Sequence, residues 1–285
     1  MKKTIYFVLG QTASGKTNFA TKLAEEKGGE LINCDSRQIY KNLDIITGKT
    51  DNPQGIHCVD IVEPDITFSA YEYATLAYNT IYDIVESDKT PIVVGGTGMY
   101  AYLLKYFDPK KEYKFTADLK YFDKFNLEDL QKKIQSEYSF IWEKLNESDR
   151  KNKRRLSAAL HRLIYNTSLP IDVKSGNNLA SIYDIKEYIF LHKDKKSMEI
   201  KLKQRIENRI RMGAVEECRK LLNRGFKHQD PGLMSIGYQS IFKFLDEKIN
   251  EHEMREEWLI KERQYAKRQK IYFLKYFPEA EIIYN

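Results

Sequence analysis

The sequence predicts an α/β fold, in which a parallel sheet is flanked by helices and interrupted by an α-helical insertion domain. Up to about residue 108, apolar runs typical of buried strands alternate with segments whose apolar residues have helical spacing. From there to about residue 187 the chain is strongly charged and helical in pattern, and the strand pattern returns at residues 188–191. We therefore predict a core whose first part is 1–108, an insertion at 109–187, and the second part of the core at 188–285.

The first unit of the core combines a strand, a glycine loop and a helix. Residues 4–9 form an apolar run, and residues 10–17 read Gly-Gln-Thr-Ala-Ser-Gly-Lys-Thr, which fits the phosphate-loop pattern G-x-x-x-x-G-K-T. The apolar residues of 16–27 then follow helical spacing. In such a loop, backbone N–H groups wrap a polyphosphate, Lys16 adds positive charge and the Thr17 hydroxyl can hold Mg²⁺. The order predicts a P-loop NTPase-like core with a phosphorylated ligand near residue 17.

Asp35 directly follows a second predicted strand at residues 30–34. A carboxylate at the C-terminal edge of a parallel strand lies where α/β sheets bind ligands, so Asp35 is a candidate base for a nucleophile. The alternative is a helix cap or turn residue; the Arg37 and Gln38 that follow favour the base. The later strand at residues 91–94 runs into Gly-Gly-Thr-Gly without the acid that ATPases use to position a metal, which disfavours motor-type hydrolysis.

The remaining elements are predicted from the same periodicities. In the core we expect a strand at 59–62, a helix from 69 to 86, a helix opening at Met99, and later helices at 196–224, 232–244 and 252–276. In the insertion, residues 128–134 and 155–164 have helical spacing.

Composition narrows the class of protein. The formal net charge of +6 and the pI of about 8.9 favour an anionic partner. Three cysteines without a C-x-x-C pair indicate a reducing, cytoplasmic setting, and the five histidines are not at metal-ligand spacing. The chain has no apolar run of membrane-spanning length, and its N-terminal apolar stretch leads into the phosphate loop rather than a secretory cleavage site.

Basic residues cluster in three places. Residues 150–155 carry five positive charges in six positions, which suits a phosphate backbone, although a solvated face is the alternative. Arg205 and Arg209 lie four residues apart, so they share a helix face and could both point at a diphosphate; surface ion pairs with Glu207 and nearby acids are equally compatible. Basic and aromatic residues interleave in the last helix, where we expect the aromatics Tyr265, Tyr272 and Phe273 to be core contacts rather than base-stacking platforms.

Five motifs in a fixed order resemble the tRNA dimethylallyltransferase (isopentenyltransferase) family, over nearly the whole chain. They are the phosphate loop at 10–17, Asp-Ser-Arg-Gln-Ile-Tyr at 35–40, Gly-Gly-Thr-Gly-Met-Tyr at 95–100, Ser-Ile-Gly-Tyr-Gln at 235–239 and Arg-Gln-Tyr-Ala-Lys-Arg-Gln at 263–269. The segment at 57–61 is also similar to the family's His-Leu-Ile-Asp segment. Departures are Gln11, where proline is common, and Ala158, where a second basic residue is common; the zinc finger of eukaryotic relatives is not matched.

The resemblance implies transfer of a dimethylallyl group from dimethylallyl diphosphate to N6 of adenosine 37, next to the tRNA anticodon. It implies that the loop holds the departing diphosphate, that Asp35 removes the N6 proton, and that Mg²⁺ binds at Thr17. The implied catalytic residues are Asp35, Thr97, Lys16 and Arg209. The implied diphosphate-binding residues are Gly10, Gln11, Thr12, Ala13, Ser14, Gly15, Lys16, Thr17 and Arg205. The implied tRNA-binding residues are Asp35, Ser36, Arg37, Gln38, Thr97, Arg154, Arg155, Gly237, Tyr238 and Gln239.

The partners implied are the tRNA anticodon stem-loop and dimethylallyl diphosphate, for a bacterial-type, cytoplasmic, monomeric enzyme without an obligate protein partner. Three alternatives stay open: an adenylate isopentenyltransferase, a P-loop small-molecule or nucleoside kinase, and an RNA-binding P-loop protein without catalysis. The basic helical insertion favours tRNA over free nucleotides. The intact Lys16, Thr17 and Asp35 disfavour loss of catalysis.

Overall fold

The computed structural model describes residues 2–50, 55–110, 125–164 and 176–285. The chain divides into two compact units, one made of residues 1–107 and 172–285 and the other of residues 108–171. A strand begins at Asp184, inside the predicted insertion at 109–187, and pairs with the first strand of the sheet. The ends of the insertion domain stay a prediction.

The larger unit is built on one parallel sheet. Within the described residues it has six strands, β1 (Thr4–Gly10), β2 (Gly29–Asn33), β3 (Ile56–His57), β4 (Thr90–Gly95), β5 (Asp184–Leu191) and β6 (Glu281–Tyr284), in the order β3-β2-β4-β1-β5-β6. Every neighbouring pair is parallel, which confirms the predicted α/β class. The predicted strand at 59–62 is wrong: β3 lies earlier, and Val62 forms only an isolated bridge with Tyr40.

The strand order brings three loops together. Leu9 of β1 pairs with Gly95 of β4, and Asn33 of β2 pairs with Val94, so these three strands end at the same level. Because the strands are parallel, the loops that follow them meet at one edge of the sheet, where open α/β sheets bind ligands. This edge holds the phosphate loop, Asp35 and Thr97.

The described helices agree with the predicted periodicities at most positions. They are α1 (Lys16–Lys27), α2 (Ala70–Glu86), α3 (Gly98–Lys105), α4 (Leu127–Glu137), α5 (Ser139–Lys144), α6 (Glu147–Arg150), α7 (Lys153–Ile164), α8 (Leu179–Ile182), α9 (Lys195–Arg211), α10 (Ala214–Asn223), α11 (Tyr238–Leu245) and α12 (Glu251–Tyr276).

Two helix predictions need correction. The helix predicted at 196–224 is two helices, because Gly213, with φ of 100°, ends α9 and starts α10. The helix predicted at 232–244 begins only at Tyr238, because Gly237 has φ of 97°, a left-handed value that interrupts a helix. A Cβ at Gly237 would also lie 2.8 Å from the Trp258 ring.

Separate apolar clusters hold the elements in place. One face of the sheet packs Phe7, Ile32 and Val93 against α2, α3 and α12, and α1 covers the other face. A second cluster surrounds Trp258 and joins α9 to α12 with residues 39–46. The smaller unit has its own core of Leu130, Ile134, Leu156 and Leu160. In the part of the chain that the structure describes, every helix is too short or too polar to cross a membrane.

Candidate active site

A cavity of about 760 Å³ opens at the carboxyl edge of the central strands. The loops after β1, β2 and β4 form one side of it, and helices α9 and α12 form the other. Its lining includes residues 12–18, 35–38, 46–50, 95–98 and 234–236, together with Arg205, Arg209, Glu262, Tyr265, Arg268, Gln269 and Tyr272. All of these residues belong to the larger unit.

The phosphate loop adopts a conformation suited to an anion. Ala13 and Gly15 have φ of 58° and 85°, and Gly15 caps α1 without a side chain, so the first N–H groups of the helix are not satisfied by a cap. The N-terminus of a helix with such free N–H groups attracts phosphate. Ser14 Oγ and Lys16 Nζ both donate to the carbonyl oxygen of Gln11, at 2.7 and 2.6 Å, which closes the loop.

Gly10 and Gln11 do not line the cavity, so their assignment to the diphosphate-binding residues stays a prediction. A Cβ at Gly10 would overlap the Phe190 carbonyl oxygen, which explains the glycine. The buried side chain of Gln11 donates to the Ala266 carbonyl at 2.9 Å and accepts from the His192 N–H at 2.8 Å. These two positions hold the loop against β5 and α12.

Three cationic side chains converge on the cavity. Burial and the nearby Arg205 lower the pKa of Lys16 to about 8, while the carboxylate of Asp35 opposes this effect. Burial also lowers the pKa values of both Arg205 and Arg209. The two guanidinium groups lie side by side: a Cβ at Gly48 would be 2.5 Å from Arg205 Nη2 and 2.8 Å from Arg209 Nη2.

These cations are not compensated by an equal number of anions. Arg209 Nη1 lies 3.3 Å from Glu262 Oε1, but within the described residues the buried Arg205 Nε has no hydrogen-bond partner. The alternative was surface ion pairs with Glu207 and nearby acids; Glu207 pairs with Arg255 instead, and the acid that Arg209 meets is the buried Glu262. Buried charges are costly unless they are paired. The excess of positive charge therefore suits the binding of an anion.

Asp35 lies on the turn after β2 and faces the same cavity. Its Oδ1 accepts from the Arg37 N–H at 2.9 Å, and its own N–H donates to Asn33 Oδ1 at 3.0 Å. Asp35 thus forms the turn that the alternative prediction described and also presents its carboxylate to the cavity. Because it raises the pKa of Lys16, the carboxylate is electrostatically coupled to the cation cluster.

Thr97 joins the loop after β4 to the Asp35 turn. Its Oγ1 accepts from the Ser36 N–H at 3.0 Å, and its own N–H donates to the Cys34 carbonyl at 3.1 Å. A Cβ at Gly95 would overlap the same carbonyl oxygen, so the close approach of the two loops requires glycine there. Thr97 therefore fixes where the Asp35 carboxylate sits.

The predicted tRNA-binding residues fall in three places. Ser36, Arg37 and Gln38 line the cavity, although Arg37 Nη1 already donates to the Pro231 carbonyl at 3.1 Å and Gln38 Nε2 to the Gly48 carbonyl at 3.1 Å. Arg155, in the smaller unit, is exposed and pairs with Asp149 at 2.6 Å. The side chain of Arg154 lies outside the described part of the chain.

Gly237, Tyr238 and Gln239 do not line the cavity. The buried Tyr238 hydroxyl donates to Glu217 Oε1 at 2.5 Å, and Gln239 Nε2 donates to the His228 carbonyl at 2.7 Å. The predicted contact of these side chains with tRNA is therefore not supported, because internal hydrogen bonds occupy them. The residues just before them, 234–236, line the cavity instead.

Helix α12 contributes a set of residues that the sequence analysis missed. Glu262, Tyr265, Gln269 and Tyr272 all line the cavity, and their spacing of three and four residues puts them on one face of the helix. Phe273 is a core residue as predicted; Tyr272 packs against the same cluster and also lines the cavity, and Tyr265 is half-buried in the cavity lining. The sequence pattern that could have identified them is a stripe of polar and aromatic residues at helical spacing, which runs along α12 beside a stripe of apolar residues.

A metal site made by the protein alone is not found: among the described residues, no group of three or more His, Cys, Asp or Glu side chains could hold an ion. The exposed Thr17 hydroxyl does line the cavity at the start of α1. Mg²⁺ usually binds through one or two protein ligands together with phosphate oxygens and waters. Thr17 thus fits a magnesium ion that arrives with a phosphorylated ligand.

Comparison with protein families and individual relatives agrees with this geometry. The IPP transferase family model matches residues 38–276, and the isopentenyl transferase model matches residues 3–59. A tRNA dimethylallyltransferase of Endomicrobium trichonymphae is 33% identical, with 98% of this chain and 94% of the relative covered. One of Clostridioides difficile is also 33% identical, covering 97% of this chain and 90% of the relative.

Solved structures are similar over the whole chain. The tRNA delta(2)-isopentenylpyrophosphate transferase of Staphylococcus epidermidis has a TM-score of 0.67 at 25% identity, covering 100% of this chain and 93% of that one. A eukaryotic dimethylallyltransferase acting on tRNA has a TM-score of 0.78 at 22% identity, covering 99% of this chain and 74% of that one. At this identity the likeness shows that the two chains share a fold. Together with a family model that matches most of the sequence, these relatives show that the chain belongs to the tRNA dimethylallyltransferase (IPP transferase) family.

Proposed function

We propose that this protein transfers a dimethylallyl group from dimethylallyl diphosphate to N6 of adenosine 37 in tRNA. The observation that carries the proposal is the meeting of Lys16, Arg205 and Arg209 with Asp35 in one cavity. A leaving diphosphate needs cations at the bond that breaks, and an attacking amine needs a base at the bond that forms. The cavity offers both groups.

The cation cluster would act on the leaving group. As the bond between C1 of the dimethylallyl group and the diphosphate oxygen breaks, its electron pair stays with the diphosphate, which gains negative charge. Lys16, the two arginines and the free N–H groups of the phosphate loop would stabilise this charge in a site that already carries excess positive charge. Because these groups are fixed by packing, they would need little reorganisation during the reaction.

Asp35 would act on the nucleophile. As N6 of the adenine forms its bond to C1, it must lose a proton. The Arg37 N–H holds the Asp35 carboxylate at the cavity wall, and Asn33 Oδ1 accepts from the Asp35 N–H. An exocyclic amine is a weak nucleophile, so placement contributes more than basicity. The Thr97 bond to the Ser36 N–H keeps the Asp35 turn in position.

Mg²⁺ would be held by the Thr17 hydroxyl and by oxygens of the diphosphate. It supplies charge neutralisation of the leaving group when bound.

The nucleotide substrate would enter as a base flipped out of its stack. A cavity bounded by the loops and by α12 cannot admit a stacked anticodon, so the adenosine must be extruded. Tyr265 and Tyr272 offer aromatic faces in the lining, and Ser36, Arg37 and Gln38 lie where the flanking nucleotides would approach. The basic residues of the smaller unit, among them Arg155, would contact the stem through its phosphates.

A single transfer assay tests the proposal. The purified protein is incubated with dimethylallyl diphosphate, Mg²⁺ and an anticodon stem-loop carrying three consecutive adenosines at 36–38, and the RNA is analysed by mass spectrometry. We expect one added dimethylallyl group on the stem-loop and none on a matched stem-loop with purine riboside, which lacks the N6 amine, at position 37. Addition to AMP but not to RNA would instead identify an adenylate isopentenyltransferase. Consumption of ATP by phosphoryl transfer without a prenyl donor would identify a kinase.

We further propose that the protein works as a cytoplasmic monomer. The three cysteines without a C-x-x-C pair favour a reducing compartment, and the resemblance to bacterial-type relatives implies a monomer. Light scattering during size-exclusion chromatography should give a mass near 33.6 kDa. A mass of twice this value that persists on dilution would contradict the monomer.

A further inference from the structure

Gln269, on α12, contacts both the phosphate loop after β1 and the loop after β4. Its side chain is only 5% exposed. Its Oε1 accepts from the Thr12 N–H of the phosphate loop at 2.8 Å, and its Nε2 donates to the Gly96 carbonyl, next to Thr97, at 2.9 Å. One carboxamide therefore links the loop after β1 to the loop after β4.

The close fit around Gln269 leaves little freedom. A Cβ at Gly96 would lie too close to Gln269 Nε2, so the glycine makes room for the carboxamide. The Tyr265 hydroxyl also donates to the Gly96 carbonyl, at 3.4 Å, from the same helix. Since Thr97 in turn bonds to the Ser36 N–H, the contact runs from the phosphate loop through Gln269 to the Asp35 turn.

We infer that Gln269 is a positioning residue that sets the distance between the diphosphate cradle and the Asp35 base. This inference rests on the proposed function. Transfer requires the leaving group and the nucleophile to be held on opposite sides of one carbon, and misplacement by about 1 Å can lower a rate by about 10²-fold. Gln269 acts through Thr12 and Thr97, so its loss should lower kcat more than it weakens diphosphate binding.

The hydrogen-bond pattern suggests an isosteric test. In Gln269→Glu, the neutral carboxyl can still accept from the Thr12 N–H and donate to the Gly96 carbonyl, whereas the ionised carboxylate can only accept. Burial favours the neutral form, but ionisation at higher pH would turn the donor into a second acceptor facing a carbonyl oxygen. Gln269→Leu fills a similar volume and can make neither bond at any pH.

Prenyl transfer to the stem-loop is therefore measured at saturating substrates from pH 5.5 to 9 for wild type, Gln269→Glu and Gln269→Leu. Gln264, which is exposed on the same helix, provides the matched controls Gln264→Glu and Gln264→Leu. The concentration of folded enzyme is set by titration with inorganic pyrophosphate, and thermal unfolding is recorded for each variant. Dividing each kcat by the wild-type value at the same pH removes the ionisations that the enzymes share.

We expect Gln269→Leu to lose about tenfold to 10²-fold in kcat at every pH, with pyrophosphate affinity within about threefold of wild type. For Gln269→Glu the kcat ratio should be near one at low pH and fall at least tenfold as the introduced carboxyl ionises. The two Gln264 variants should give flat ratios near one. Thermal destabilisation alone would leave the kcat of the folded enzyme unchanged.

The role of Gln269 would be overturned by a kcat for folded Gln269→Leu within twofold of wild type, or by a pH-independent ratio for Gln269→Glu. A variant that folds but loses pyrophosphate binding in proportion to its activity would also overturn it, because binding and not positioning would then be affected. If wild type itself fails to transfer the prenyl group, the proposed function falls first, and this outcome is recognised before any variant is compared.

Discussion

Lys16 makes the affinity for a diphosphate depend on pH within an accessible range. Burial and Arg205 lower the pKa of its ammonium group to about 8, from an ordinary value of 10.5. The test compares how the Kd for inorganic pyrophosphate changes from pH 7 to pH 9 in wild type and in Lys16→Arg. Arginine keeps its charge throughout this range, because its unperturbed pKa is above about 12.

The magnitude follows from the fraction of charged Lys16. With a pKa of about 8, about nine in ten Lys16 side chains are charged at pH 7 and about one in ten at pH 9. If only the charged form binds pyrophosphate, the Kd should increase about tenfold between these two values, which corresponds to about 1.4 kcal/mol. Pyrophosphate binding should therefore weaken as the pH rises, because the bound anion favours the charged form of the Lys16 amine.

The assay is isothermal titration calorimetry with inorganic pyrophosphate in buffers of different ionisation enthalpy. At pH 9, binding to wild type should take up close to one proton more than binding to Lys16→Arg, whereas at pH 7 the two should differ by about a tenth of a proton. The ionisation of pyrophosphate itself is the same in both titrations and cancels in the comparison. Equal pH dependence of the Kd in both proteins would refute the lowered pKa of Lys16 as the cause.

Three further substitutions test other parts of the site. Asp35→Asn should lower kcat by about 10²- to 10⁴-fold with pyrophosphate binding intact, as measured by single-turnover transfer and calorimetry; lost binding with unchanged turnover would make Asp35 structural. Arg205→Met should weaken pyrophosphate binding at least tenfold yet raise the thermal midpoint by a few degrees, because it removes a cation whose Nε has no hydrogen-bond partner among the residues that the structure describes; a lowered midpoint would contradict the excess of charge. Glu217→Gln should cost about 1–3 kcal/mol of unfolding free energy in urea denaturation, because its carboxylate accepts the N–H groups of residues 44, 45 and 46 and the Tyr238 hydroxyl; an unchanged denaturation midpoint would show that these bonds contribute little.

The sequence predicted the parts of the site that depend on local pattern. The phosphate loop, Lys16, Asp35 and Thr97 follow strands with clear apolar runs, and the structure brings all of them except Gly10 and Gln11 to the cavity. Strand β3 was placed wrongly because two residues, Ile56 and His57, are too few to show an alternating pattern.

The contributions from distant parts of the chain could not be predicted. Gln269 contacts Thr12 across 257 residues of sequence, and neither its helix nor its motif indicates which loop it meets. The orientation of residues 237–239 likewise depends on Glu217 and His228, which lie in other segments. For Arg205 and Arg209, spacing put both on one face, but only the packing of α9 against α12 decided that this face is the cavity wall.

The position of β1 in the sheet has a consequence for how the protein is made on the ribosome. Thr4 of β1 pairs with Asp184 of β5, 180 residues later, and α12 follows at the far end of the chain. During synthesis the phosphate loop emerges early, but one edge of its strand stays open and both arginines are still missing. Such an unpaired edge is prone to association with other chains, so chaperone binding to the nascent protein should persist until β5 has emerged. A fragment of residues 1–183 would contain the complete phosphate-loop motif and still lack a diphosphate site.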